Sequence, residues 1–398
     1  MFSDSAKKFI QEHQNDDVKK LALQSSLLAK LGADVNFVLR QIEGRQITKN
    51  KIPSWFGKED IIYPSHLSLE QSSSELTARY KASLLSGNSF VDLTGGFGVD
   101  CAFVSGNFEK ATYVEKNTDL CNLASHNFKV LQLQHIEVEN TDSVEYLKKL
   151  LQADCIFIDP ARRSISGRKV VFIEDCEPDL VGIQDLLLEK AGTVLVKLSP
   201  MLDITQALNT LKSVFEVHVV SVENECKELL FLVKRGFIGE PSIVCVNLCK
   251  NKQQVPISFL YSEEKKVAFS PVSYIGNYLY EPNASILKAG FFKGIASKYS
   301  LNKLHKDSHL YTSDNYIPDF PGRGFQVEAY SSMNKKELKS LLLDIDKAHI
   351  SVRNFPLSVV DLRKKLKIKE GGEIYLFATS LEDHKHILIK TRKITSDL

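Results

Sequence analysis

Apolar residues recur along this chain in two rhythms. In the first 45 residues Val18, Leu21, Leu23, Leu27, Leu28 and Leu31 return at mostly three- and four-residue spacing, and Val35 to Ile42 repeats the pattern. That period predicts helices. A loop follows with Pro53, Pro64 and the sole tryptophan, Trp55, and then a helix from about Ser68 to Leu85 that stops at Gly87. Beyond it the rhythm changes to short apolar runs. Strands are predicted at Ser89–Leu93, Lys110–Val114, Ile136–Glu139, Cys155–Ile158, Thr193–Lys197, Glu216–Val222 and Glu228–Val233. Helical stretches separate the first six, an alternation that predicts a parallel sheet covered on both faces. Only Glu223 to Lys227 lies between the last two, too short for a crossover helix, so they should form an antiparallel hairpin. The expected architecture is α/β with a seven-stranded mixed sheet.

Two further strands, Ile243–Leu248 and Ile257–Tyr261, either extend that sheet or lead into the next unit. Pro271 to about Pro318 reads as a small helical or mixed module. From Pro321 onward the pattern predicts a βαβ-like unit, with helices near Lys335–Lys347 and Val359–Leu366 and strands at Glu373–Phe377 and His386–Lys390.

The 398 residues are enough for two or three domains. A net charge of +2 does not mark a nucleic-acid-binding protein. The basic residues are uneven, however. Lys335-Lys336, Arg363-Lys364-Lys365-Leu366-Lys367 and Lys390-Thr391-Arg392-Lys393 crowd the C-terminal end, either as solvated faces or as an RNA-facing patch. Seven scattered cysteines without a C-x-x-C pair fit a reducing cytoplasm. The charged N-terminus carries no apolar leader, and no run reaches the roughly 20 apolar residues of a membrane helix. His384 and His386 share a strand face, but no metal site is expected.

The candidate chemistry lies at the strand ends. Strand one runs into Val91-Asp92-Leu93-Thr94-Gly95-Gly96-Phe97-Gly98-Val99-Asp100, a glycine-rich strand-to-helix turn where backbone N–H groups can meet a ligand closely. Strand two ends at Glu115-Lys116, and a carboxylate there can accept the hydroxyls of a ribose. After strand three come Asp142-Ser143, placed either to border an adenine or to cap the next helix. Strand four ends in Asp159-Pro160-Ala161-Arg162-Arg163. Four consecutive strands thus deliver polar residues to the carboxyl edge, where doubly wound sheets bind ligands. A nicotinamide dehydrogenase would need a small third residue in its glycine turn, but Cys101 stands there. That reading would also leave Asp159-Pro160 and the hairpin without a role.

Taken together these features resemble the class I (Rossmann-like) methyltransferase fold. Nearly the whole chain is similar to a bacterial family of methyltransferases with a C-terminal THUMP-like domain. The resemblance is carried by Glu70-Gln71-Ser72-Ser73-Ser74-Glu75, Asp159-Pro160-Ala161-Arg162-Arg163, Glu174-Asp175-Cys176-Glu177-Pro178 and Lys197-Leu198-Ser199-Pro200-Met201-Leu202-Asp203. Further matches are Asn224-Glu225-Cys226-Lys227-Glu228-Leu229-Leu230, Tyr280-Glu281-Pro282-Asn283, Leu310-Tyr311-Thr312-Ser313 and Val352-Arg353-Asn354-Phe355-Pro356-Leu357. It implies a helical region over 1–85, a methyltransferase domain over 86–270, a ferredoxin-like module over 271–320 and a THUMP-like domain over 321–398. It also implies S-adenosylmethionine as cofactor and favours RNA, rRNA or tRNA, as acceptor. A small-molecule or protein acceptor, and a non-catalytic RNA-binding protein, are the alternatives.

By the same resemblance, Asp92 with Thr94, Gly95, Gly96, Phe97 and Gly98 would hold the methionine end of the cofactor. Glu115 would hold the ribose with Lys116 beside it, and Asp142 and Ser143 would border the adenine. Asp159 and Pro160 would lie near the transferable methyl. Thr94 departs from the glycine that many class I enzymes carry there. Asp159 can accept a hydrogen bond from an amine and aim its lone pair, and Arg162 can stack on a base or hold a phosphate. Arg162, Arg163, Lys197, Ser199 and Pro200 are the expected acceptor-side residues. Pyrimidine C5 methylation would need a cysteine nucleophile; the corresponding places read Ala161 and Ser199, and Cys176 and Cys226 are either loose candidates for it or buried structural thiols.

Overall fold

The computed structural model describes residues 4–23, 34–162, 173–250, 255–268 and 271–394. The expected helix through Leu27, Leu28 and Leu31 therefore lies mostly outside the described residues. Two compact units emerge, one of residues 1–217 with 228–239 and the other of 218–227 with 240–398.

The first unit is built on the predicted alternation. Strands β1 (Ser89–Asp92), β2 (Lys110–Glu115), β3 (Ile136–Asn140), β4 (Ala153–Ile158) and β7 (Ala191–Leu198) run parallel. The short β5 (Ala161–Arg162) and β6 (Cys176–Glu177) pair separately, outside this sheet. In β4, Ile156, Phe157 and Ile158 are all nearly inaccessible, as a strand covered on both faces requires. The hairpin follows as β8 (Val214–Val222) and β9 (Glu225–Lys234), with β9 antiparallel to β7. Its turn is two residues, Glu223 and Asn224, both with positive φ, the conformation of a type I′ turn whose twist matches the strands it joins.

The sheet has nine strands rather than the seven expected. The added pair are β10 (Ser242–Leu248) and β11 (Ile257–Leu260), the two strands whose place the sequence left open. The order is β11-β10-β8-β9-β7-β4-β1-β2-β3. The cause is the insertion of β9 between β7 and β8, which puts β8 on an edge. The outer backbone N–H and C=O groups of β8, a strand whose Val217, Val219 and Val220 are buried, would then be left open, and β10 pairs with them.

A second difference lies before the sheet. The single helix expected from Ser68 to Leu85 is two, His66–Gln71 and Glu75–Leu84. Three consecutive serines break it. Ser72 turns its hydroxyl onto the Leu69 carbonyl, and Ser74 caps the second helix by accepting from Thr77 N. Ser73 points instead at Asp100, 2.7 Å away.

The second unit has strands β12 (Tyr278–Pro282), β13 (Asn302–Lys303), β14 (Tyr311–Ser313), β15 (Gly322–Ser332), β16 (His349–Arg353), β17 (Ile374–Ser380) and β18 (His386–Lys393). They form one seven-stranded sheet in the order β13-β14-β12-β15-β18-β17-β16. Leu279, Leu310, Phe325, Phe377 and Ile389 share one core cluster. Leu338 and Leu362, from the helices Lys335–Leu341 and Val359–Leu366, belong to another with Leu376 and Leu388. Alternate residues of β17 and β18 serve the two clusters, so they lie on opposite faces of the sheet. On β12 the buried Glu281 is clasped by Arg323 of β15 and Arg353 of β16.

His309 of this unit stacks on Phe292 with ring centroids 3.7 Å apart, and its Nδ1 is buried with no partner among the described residues. Burial, aided by the charges of Lys303 and Arg353, pushes the imidazole down to about 4. The unfolded chain, near 6.5, takes up this proton first, so stability should fall as the pH drops from about 6.5 towards 4. Urea titrations at pH 7 and pH 5 should show that loss. His309→Asn, which tolerates the φ of 51° at this position, should remove most of it.

Candidate active site at the carboxyl edge of the sheet

The glycine turn is shaped by its neighbours more than by glycine's flexibility alone. A Cβ on Gly95 would stand 2.2 Å from the Tyr113 ring, and one on Gly98, at φ 83°, would press on Phe128 at 3.0 Å. These two glycines therefore let the loop lie on β2 and on the helix Thr118–Val130. Gly96 differs. It has φ 53°, but a Cβ there would meet only the Thr94 carbonyl, at 3.8 Å, so the space beside it is open. Phe97 is buried against Trp55, edge to face at 5.1 Å, with Tyr63 also near. Its side chain belongs to the core, which leaves only its backbone for contact with a ligand.

The acidic residues at the strand ends are tied to this loop. Asp92 is 1% exposed; its Oδ1 accepts from Thr94 N at 3.0 Å, and its Oδ2 has no partner among the described residues. Burial drives its carboxyl well above the usual carboxylate range, opposed by the Thr94 N–H and reinforced by the charges of Asp100, Asp159 and Glu115. Glu115 accepts from Gly96 N at 3.0 Å through Oε2 and from Asn117 N at 2.8 Å through Oε1. Each oxygen keeps a second lone pair for a ligand. Lys116 is exposed and paired with Glu177 at 2.8 Å.

Asp142 caps the helix Ser143–Lys149. Its Oδ1 accepts from Val144 N at 2.8 Å and Glu145 N at 3.2 Å, with Ser143 the first helical residue. The capping role weighed from sequence is thus present, at a place that still borders the edge after β3.

Asp159 follows β4, and its N–H donates to Thr94 Oγ1 at 2.7 Å, joining the first loop to the fourth strand. Its Oδ2 is paired with Lys197 of β7. Burial works against the Lys197 charge, but Asp159, Asp100 and Glu228 overcome it and raise the ammonium above its ordinary value. Lys197 is therefore a fixed cation. Pro160 is buried beside the pair, and Ser199 and Pro200 open the turn that follows β7, with Ser199 Oγ accepting from Met201 N at 3.2 Å. Arg162 lies in β5, but its side chain, like the whole of Arg163, lies outside the described residues.

Behind this edge sits a cluster that sequence reasoning missed. Lys81, with a fully buried side chain, donates to Ser73 Oγ at 3.0 Å and to both oxygens of Glu228 at 2.9 Å. It also lies 3.1 Å from Asp100 Oδ1. A signal existed. Lys81 falls on the buried side of its helix with Thr77 and Ala78, and Glu228 opens the run Leu229-Leu230-Phe231-Leu232-Val233. A buried charge in such a setting needs a partner.

Among the described residues no group of three or more His, Cys, Asp or Glu could hold a metal ion, and no helix is long and apolar enough to cross a membrane. Every cysteine is a free thiol.

Family models match residues 278–321 as a ferredoxin-like domain and residues 322–393 as a THUMP-like domain. No curated protein matches the chain. Among solved structures, a protein from Porphyromonas gingivalis W83 described as a "putative methyltransferase" is 35% identical over 98% of both chains, with a TM-score of 0.87. An rRNA methylase from Streptococcus thermophilus aligns with 40% of this chain and 94% of its own at 13% identity and a TM-score of 0.29, too distant to bear on function. The extent and identity of the Porphyromonas match, joined to the two C-terminal domain matches, mean that the chain belongs to the bacterial family of class I methyltransferases that end in a THUMP-like domain.

Proposed function

We propose that the protein transfers a methyl group from S-adenosylmethionine to RNA, with a base nitrogen as the acceptor. The observation that carries this reading is the glycine turn itself, at whose start Asp92 Oδ2 is orphaned, where the space at Gly96 is open, and to whose Gly96 N–H Glu115 is bonded. A buried polar atom without a partner fits a site completed by a polar ligand. In this reading Asp92 and the backbone from Thr94 to Gly98 hold the methionine end, and Glu115 holds the ribose with Lys116 nearby. Asp142 and Ser143 border the adenine. When bound, the cofactor supplies an electrophilic methyl on a positively charged sulfur.

The chain's own task is then to hold a lone pair in line, and positioning alone can supply effective molarities of roughly 10⁵–10⁸ M. Asp159 has Oδ2 occupied by Lys197, so Oδ1 is the oxygen for an acceptor N–H. Lys197 keeps that carboxylate oriented. Pro160, Ser199 and Pro200 lie on the acceptor's side of this edge, and Arg162 and Arg163 are assigned to binding the acceptor, with Arg162 meeting a base or a phosphate. The proposed division of the chain is 1–85 helical, 86–270 methyl transfer, 271–320 ferredoxin-like and 321–398 RNA recognition, in a cytoplasmic protein. Calorimetry with S-adenosylmethionine tests the cofactor. Mass spectrometry of nucleosides from a strain lacking the gene tests the acceptor, and an unchanged nucleoside profile would count against RNA.

The basic C-terminal segment is reduced by its own ion pairs. Arg363 is held by Glu370, Lys390 by Glu328, and Arg392 by Glu328 and Glu373. Lys364, Lys365 and Lys367 are exposed and have no ion-pair partner among the described residues. We expect Lys364→Gln, Lys365→Gln and Lys367→Asn together to weaken RNA binding, with asparagine chosen for the φ of 56° at position 367. If each lysine meets one phosphate, the slope of log affinity against log salt should flatten by about 2–3. Cofactor affinity should not change. Filter binding across a salt series measures the first, and calorimetry the second.

A further inference from the structure

Lys197 has three carboxylates within its electrostatic reach, Asp159, Asp100 and Glu228, yet its ammonium is bonded to Asp159. The other two are already claimed. Lys81 bonds both oxygens of Glu228, stands against Asp100 Oδ1, and shares Ser73 with Asp100 Oδ2. Lys81 and Ser73 come from the segment before the sheet, Asp100 from the helix after the glycine turn, and Glu228 from the start of β9. Three separate segments thus converge behind one ion pair.

The physics of the arrangement is a competition. In a buried site an uncompensated carboxylate is costly and recruits the nearest cation. Without Lys81, Lys197 would be the single ammonium among three acids, and two of the three would lie on the interior side. We propose that Lys81 is a positioning residue which, by neutralising Asp100 and Glu228, reserves Lys197 for Asp159 and so fixes the carboxylate that aims the acceptor. This rests on the reading of Asp159 given above. It assigns a role in the reaction to the helix Glu75–Leu84, which lies outside the sheet.

The test compares Lys81→Met, Lys81→Arg and the double variant Lys81→Met/Glu228→Gln in the full-length protein. The first readout needs no acceptor: the ¹³Cε signal of Lys197, assigned with Lys197→Met, reports the surroundings of its ammonium. It should move in Lys81→Met and return most of the way in the double variant, where a competing carboxylate has been removed together with the cation. The second readout is transfer of labelled methyl from S-adenosylmethionine to total RNA from a strain lacking the gene. Lys81→Met should lower the maximal rate at least tenfold while cofactor affinity holds within about twofold. Lys81→Arg should retain most of the rate.

A purely structural lysine predicts a different pattern. The double variant would then be no better than the single one, and the Lys197 signal would stay in place in both; either result overturns the proposal. Should Lys81→Met fail to fold, the charge-balanced double variant against Glu228→Gln alone makes the same comparison. If wild-type protein transfers no methyl to RNA, the functional reading fails, and the Lys197 signal still decides whether Lys81 governs the pair.

Discussion

Asp159→Asn should fold, bind S-adenosylmethionine with nearly wild-type affinity, and turn over about 10²-fold more slowly in single-turnover assays. That is the scale on which one preorganised polar group acts at a reacting centre. Asparagine keeps the size of the side chain but not the charge that Lys197 holds in place. The carboxylate is about a third exposed, and Lys197 less so, so the variant should also lose about 1–2 kcal/mol of stability, well short of a fully buried pair. The bland alternative is that Asp159 only caps the turn after β4, a role in which asparagine is a good replacement. Its signature would be unchanged turnover and an unchanged melting temperature. Rate and melting curve together separate the two, and full activity in Asp159→Asn would remove it from the catalytic machinery.

Glu115→Ala should weaken cofactor binding by about 10²-fold or more. Hydrogen bonds to a charged group contribute roughly 1.5–3 kcal/mol each, and about 1.4 kcal/mol is tenfold. The alanine removes the ribose acceptors and also the anchor of Gly96 N, so the turn loosens as well. Calorimetry and melting curves should be read together. A lower melting temperature with unaltered affinity would make Glu115 a loop anchor only. Gly96→Val is a poorer probe than its open surroundings imply, because a branched residue at φ 53° strains the backbone whether or not a ligand is present.

The edge of the sheet was legible because each strand there is a short apolar run stopped by a polar residue, so Asp92, Glu115, Asp142 and Asp159 could be found by counting. Partners across the fold could not. Lys81 and Glu228 are 147 positions apart, and no periodicity relates them. The capping of the helix after Asp142 was foreseen as one of two readings. The role of Phe97 as core was not, because its partner Trp55 lies in what read as a loop. The nine-stranded sheet was only one of the open alternatives for a similar reason: the place of β10 depends on which strand of the hairpin lies against β7, and spacing along a chain is silent on that.

The single sheet of the second unit bears on how such a protein can change by recombination. The ferredoxin-like match ends at residue 321 and the THUMP-like match begins at 322, yet Pro282 of β12 pairs with Gly322, the first residue of β15. Glu281 meanwhile depends on arginines from beyond that join. A gene exchange at the join would expose an open strand edge on both fragments and strand a buried carboxylate. An exchange that keeps both fragments stable must therefore move the two modules as one cassette, even though their sequences are recognised separately.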